Sequence, residues 1–199
     1  RDIVGIYPMC KLTAEKQNSC YMEVLKLLRS TSFNIVAISV DNASTNRKFF
    51  IDYLCGGVLK THVKDSATGR PIFLIFDPVH ALKNIYNNFQ TRKTIICPPL
   101  VNHLPNGCHA KFEHIEQLFK LEESMSLKKA HALNLAALRP KSIEKTSVKL
   151  AVSIFNESTR DALYYYASHE GKPEWTGTAY FISFIFKLWS VMNVKTCTK

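Results

Sequence analysis

Apolar residues follow two different periods along the chain. Residues 2–10, "DIVGIYPMC", read as a short strand. Thr13 is placed to cap a helix over residues 14–30, where Cys20, Tyr21, Val24, Leu25, Leu27 and Leu28 recur at helical spacing. Residues 34–40, "NIVAISV", form a continuous run rich in β-branched side chains, the pattern of a strand covered on both faces. The run ends at Asp41. The next stretch, "ASTNRKFFIDYL", predicts a helix capped by Asn42 or Ser44, with Phe49, Phe50, Tyr53 and Leu54 facing inward and "CGG" as its stop. A polar loop containing "DSATGRP" leads to another strand, "PIFLIF", which ends at Asp77. Pro78 suits the first turn of the helix that follows, to about Phe89.

The first 90 residues therefore predict the order β-α-β-α-β-α. Right-handed crossovers make the second and third strands parallel and adjacent, so their carboxyl ends share one edge. Open α/β sheets place their sites at that edge, which brings Asp41 and Asp77 to one rim. Beyond residue 90 the pattern changes. "TRKTIICPPLVNHLPNG" is proline-rich and reads as a linker. Helices are expected over about 110–123, 142–168 and 175–193, with Ser142 near the start of the second. The fold class is α/β followed by all-α, with a mixed sheet containing parallel strands. Residues 1–90 form one domain and residues 91–199 a second, helical one.

Charge sharpens this outline only slightly. Lys and Arg number 26 against 16 Asp and Glu, a formal charge of +10. Such a surface favours polyanions, nucleic acid among them, and is equally compatible with an ordinary basic domain. The six cysteines form no CxxC pair, and Cys10, Cys20 and Cys55 are expected in or beside core elements. That usage suits a reducing compartment. The most apolar stretch, "AYFISFIFKLWSVM", contains Lys187 and is too short to span a bilayer, so a buried helix and no membrane partner are expected. The chain opens as if inside a strand and reads as part of a longer protein.

Position leaves two roles open for Asp41. It is a helix cap or turn carboxylate, or a ligand for a hard divalent cation such as Mg²⁺ or Mn²⁺. Asp77 and His80, three residues apart, share a helix face. Either Asp77 caps the helix while His80 packs on the sheet, or both line the rim with Asp41, and Lys83 and Asn84 continue that helix. Cys97, His103, Cys108, His109 and His114 invite a zinc reading, although their spacing matches no standard site. "GKPEWTG" is not a phosphate loop. Tyr164, Tyr165 and Tyr166 point to different faces of one helix, so at least one belongs to the core and another is free to stack on a base.

The blocks "VAISVDNASTNRKFF" and "IFLIFDPVHALKNIYNNF" resemble P-element-type transposases, including the THAP-domain relatives and their domesticated descendants. The family shows a strand ending in Asp, a polar turn with Thr-Asn, and a later D-x-x-H motif, here "DPVHALKNIYN" from Asp77 to Asn87. "LRPKSIEKTSVKLAVSIFNESTRDAL" also resembles the family's following region. The resemblance implies a nuclear, DNA-binding transposase with an RNase H-like fold interrupted by a helical insertion that binds GTP. It makes Asp41 the second catalytic acid and a metal ligand, with Asp77, His80 and Lys83 at the rim of the site. The first acid is then expected upstream of Arg1 and the final Glu beyond Lys199. With one acid alone, residues 1–199 are expected to be inert in strand cleavage. Lys128, Lys129, Arg139 and Lys141 are basic groups in the insertion without assigned contacts. The full-length protein is expected to bind transposon ends and target DNA, with a homo-oligomer as a further possibility. Two other readings stand beside this one: a domesticated, non-catalytic DNA- or nucleotide-binding protein, and an unrelated doubly wound α/β phosphotransferase or hydrolase. The last requires more parallel strands after residue 95.

Overall fold

The computed structural model describes residues 3, 5–97 and 108–193. It divides into two compact units, Arg1–His80 and Ala81–Lys199.

In the first unit, α1 spans Ala14–Ser30, and the Thr13 side chain accepts from the Lys16 amide at its start. Strand β1 spans Ala37–Val40, β2 His62–Lys64 and β3 Pro71–Phe76, in the sheet order β1-β3-β2. β1 and β3 are parallel neighbours, with Val40 opposite Phe76. β2 runs antiparallel on the other side of β3. That three-residue strand lies where the sequence predicts only a polar loop, and it is too short to show a period. No strand occurs among the described residues before α1, so the expected first strand is not found there.

Helix α2, Ser44–Lys48, continues as a π-helical turn over Phe49–Leu54, with the Cys55 amide donating to the Phe50 carbonyl. The wider turn buries Phe49 and Phe50 together, while Tyr53 is left 43% exposed rather than turned inward. The two phenylalanines pack with Ala14, Ile38, Val40, Leu74 and Phe76. On β1, Ile38 and Val40 are half-buried while Ala37 and Ser39 are exposed. The strand is thus covered on one face among the described residues, not on both. Cys55 is buried, Cys20 half-buried and Cys10 exposed, so Cys10 does not join the core.

Helix α3 spans Pro78–Arg92. The expected linker instead begins with β4, Thr94–Cys97, which pairs antiparallel with β5, Cys108–Lys111. The residues between them lie outside the described set. The second unit is therefore not all-α. A four-residue strand whose partner lies ten residues away leaves no local periodicity to read. Helix α4 follows at Phe112–Glu122 and α5 at Leu135–Leu138.

The single helix expected over 142–168 breaks into a 3₁₀ turn at Ile143–Thr146, α6 at Val148–Ile154 and α7 at Glu157–His169. Asn156 explains the second break. In extended conformation, its side-chain oxygen caps the Thr159 amide at 3.0 Å. Its amide group donates to the Val152 and Ser153 carbonyls at the end of α6. Asparagine offers the backbone this alternative to an uninterrupted helix. Helix α8, Trp175–Met192, completes the unit. No helix among the described residues is long and apolar enough to cross a membrane.

The core of this unit centres on Phe89, whose ring lies 5.3 Å from Phe112 and 4.9 Å from Phe181. Helix α8 closes against β5 at Gly177, where an added Cβ would lie 2.7 Å from the His109 carbonyl oxygen. Backbone is the obstacle, so neither element can yield by rotating a side chain. Gly177→Ala should destabilise this unit by about 1–3 kcal/mol, the usual cost of overpacking. The two tryptophans, Trp175 and Trp189, both lie in this unit, so urea unfolding followed by their fluorescence reports it selectively. An unchanged midpoint would contradict the close approach.

Candidate functional site

Two parallel strands deliver their last residues to one edge. The Asp77 amide donates to the Val40 carbonyl at 2.7 Å, extending the β1–β3 ladder to the rim. Asp41 follows Val40 directly, so Asp41 and Asp77 terminate neighbouring strands. Asp41 is exposed. Its Oδ1 accepts from the Ala43 amide at 2.9 Å and from Asn46 Nδ2 at 2.6 Å. Neither Asn42 nor Ser44 caps α2. Ala43 occupies the cap position without a side-chain bond, and Asp41 holds the turn from one residue further back.

Asp77 is half-buried, and its Oδ1 accepts from the Val79 amide at 2.9 Å, which starts α3. Its Oδ2 lies 3.8 Å from His80 Nε2, an ion pair when the imidazole is protonated. His80 is exposed and turned to Asp77 rather than packed on the sheet. Lys83 lies further along α3, half-buried, within the second unit.

Mg²⁺ takes one or two carboxylates and fills its shell with water and phosphate oxygens. Asp41 offers a free Oδ2 among the described residues, at the strand edge where such sites form. These residues fit one such ion. They do not fit a pair, because no three His, Cys, Asp or Glu side chains cluster as a metal site among the described residues. The zinc reading fares no better. Cys97 and Cys108 face each other across the ribbon. Burial pushes the Cys97 thiol up to about 12 and Cys108 in the same direction, and no third metal-ligating side chain joins them among the described residues. His114 Nδ1 lies 2.8 Å from the Thr178 hydroxyl, and His103 lies outside the described residues.

The second unit carries a hollow of about 490 Å³ lined by Lys129, His131, Glu157, Ser158, Asp161 and Tyr165. Lys129 Nζ sits 3.8 Å from the Tyr165 ring centroid, and that ring stacks on His169 at 4.6 Å. Of the three consecutive tyrosines, Tyr166 is core, Tyr164 is half-buried, and Tyr165 is 39% exposed. Glu122 is 2% exposed. It accepts from the Lys129 and Ala130 amides at 3.1 and 2.9 Å and from the Tyr166 hydroxyl at 3.0 Å. A buried carboxylate thus fixes the loop that presents Lys129. Nothing in the sequence singles out Glu122. "KLEE" gives no sign of which glutamate is buried, whereas the Thr-Asn after Asp41 did mark Asn46.

Titration of this unit follows from burial. Burial, then the positive charge of Lys111, holds His114 below its ordinary value. The unfolded chain takes up that proton near pH 6.5, so stability is full above this pH and declines as the pH falls towards the lower folded value. Burial pushes Tyr86 and Tyr166 up to about 12. Their contribution is complete below pH ~10 and is lost as the pH rises towards about 12. Urea midpoints by tryptophan fluorescence across pH should therefore form a plateau with two falling limbs. The acid limb should shrink in His114→Gln; an unaltered acid limb would assign it elsewhere.

Comparison with known proteins fits both units. A family model described as "TNP-like, GTP-binding insertion domain" matches residues 79–199, more than half of the chain. The solved "Drosophila P element transposase strand transfer complex" contains a chain of the same fold, with TM-score 0.71 and 20% identity. The match covers 94% of this chain and 40% of that one, so the present sequence spans less than half the length of its structural relative. No curated protein matches the sequence. The chain belongs to the TNP-like, GTP-binding insertion domain family.

Proposed function

We propose that the chain is the central part of a P-element-type DNA transposase. Its sheet unit contributes to an RNase H-like catalytic core, and its helical unit holds GTP as a cofactor that is not hydrolysed. The observation that carries this reading is the delivery of Asp41 and Asp77 to one edge by neighbouring parallel strands, immediately before the matched insertion domain. In the full-length protein, Asp41 would hold Mg²⁺ or Mn²⁺ through its free Oδ2, with acids from other segments completing the set. When bound there, such an ion would supply charge stabilisation to the oxygens of a DNA phosphodiester under attack. The chain's own residues orient the Asp41 carboxylate and place Asp77 and His80 beside the phosphate path. The protein would work in the nucleus on transposon ends and target DNA, and its formal charge of +10 suits that partner.

Within the helical unit, the hollow at Lys129 and Tyr165 is the nucleotide site we favour. Tyr165 would offer a stacking face once Lys129 Nζ leaves its ring to meet phosphate, and Asp161 a carboxylate for the guanine N–H edge. Fluorescent GTP should bind the chain, prefer guanine to adenine, and lose at least about tenfold in affinity in Tyr165→Ala, the ~1.4 kcal/mol within reach of one stacking contact. Binding without any effect of this change would move the nucleotide elsewhere in the unit. Absence of binding would refute the cofactor reading.

A second reading is a non-catalytic DNA- or nucleotide-binding protein descended from such a transposase. The two readings differ in whether the full-length protein carries the remaining acids of the metal site. Mg²⁺-dependent nicking by the full-length protein separates the two.

A further inference from the structure

Asn46 lies five residues beyond Asp41, in the first turn of α2, and is 9% exposed. Its Nδ2 donates to Asp41 Oδ1 at 2.6 Å and to the Asp41 carbonyl at 3.2 Å. With the Ala43 amide also on Oδ1, both lone-pair directions of that oxygen are filled. Oδ2 accepts no hydrogen bond among the described residues. The side-chain Oδ1 of Asn46 is itself buried without a donor. Such an orphaned acceptor is unfavourable, and exchanging the amide's O and N would set its oxygen against the carboxylate. Asn46 therefore directs all its bonding at Asp41 while tolerating an unsatisfied end. An apolar side chain of similar volume would satisfy packing alone.

We propose that Asn46 is the positioning residue of Asp41. It assigns Oδ1 to the turn and leaves Oδ2 as the oxygen presented at the sheet edge to a divalent cation. The inference rests on the reading of Asp41 as a cation ligand, and its test separates the two. Asn46→Leu keeps the volume and removes both hydrogen bonds along with the unsatisfied carbonyl.

The probe is Mn²⁺ alone, titrated into the chain while paramagnetic broadening of the Asp41 resonances is followed by NMR. The wild-type chain should show site-specific broadening there. In Asn46→Leu the midpoint should rise by about tenfold to a hundredfold, the effect of losing a group that orients a ligand, with the thermal midpoint little changed. Asn46→Gln, which retains the amide donor, should recover part of the loss. A midpoint within twofold of wild type in a folded Asn46→Leu overturns the proposal. The metal-free chain supplies the second arm. The Asp41 carboxyl ¹³C resonance should move in Asn46→Leu, and an unmoved resonance overturns the proposal whatever Mn²⁺ does. A moved resonance without any Mn²⁺ broadening in wild type sustains the positioning role and overturns the cation reading instead.

Discussion

Replacing Glu122 with alanine is expected to destabilise the helical unit by about 3–5 kcal/mol, the cost of leaving three buried donors without an acceptor. The carboxylate is 2% exposed and satisfies three donors, the amides of Lys129 and Ala130 and the hydroxyl of Tyr166. Alanine leaves all three without an acceptor in a site that water does not reach freely, and each orphaned donor costs on the order of 1–3 kcal/mol. Part of that loss is relieved if the 129–130 loop moves outward, which sets the lower end of the range. Tyr166→Phe removes a donor together with its need for an acceptor and should cost only about 1 kcal/mol. Urea unfolding monitored by Trp175 and Trp189 measures both. A loss below about 1 kcal/mol for Glu122→Ala would mean that the carboxylate is not the hub of this loop.

That hub shows where the sequence could and could not be read. The rim was legible because three signals coincide there. β-Branched and aromatic runs stop at an acid, a helix signal follows each, and crossover handedness makes the strands neighbours. Asp41 and Asp77 accordingly end adjacent parallel strands. The period of α1 and its Thr13 cap were equally plain, because seventeen residues of helix give the pattern room to repeat. Short elements escaped for the opposite reason. β2 has three residues and β4 and β5 four each, and their pairing is fixed by partners distant in sequence.

The interruption at Asn156 is hidden by the helical period that continues on both sides of it. An α-helical wheel places Tyr53 inward, and the π turn rotates it out. Glu122 carried no signal, since Glu123 beside it is exposed. Which glutamate is buried depends on where the Lys129–Ala130 amides and Tyr166 come together, and those contacts lie seven to forty-four residues away. Asn46 was noticed as part of a motif, but its bond to Asp41 needed coordinates.

The second large effect concerns chemistry rather than stability. Asp41→Asn preserves shape and keeps one oxygen for the Ala43 amide and Asn46, so the turn should hold and the thermal midpoint should stay within a few degrees. GTP affinity, a property of the other unit, should not change. What is lost is the charged oxygen presented at the rim, replaced by an amide NH2 that cannot ligate a cation. A cation-dependent reaction at DNA phosphate should then slow by about a thousandfold, equivalent to about 4 kcal/mol in the barrier. The most direct measurement is Mg²⁺-dependent nicking of transposon-end DNA by the full-length protein, wild type against Asp41→Asn, with folding and GTP binding checked on the same samples. The expected result is cleavage by wild type that falls about a thousandfold in the variant. Cleavage that survives Asp41→Asn within a few-fold would contradict the account.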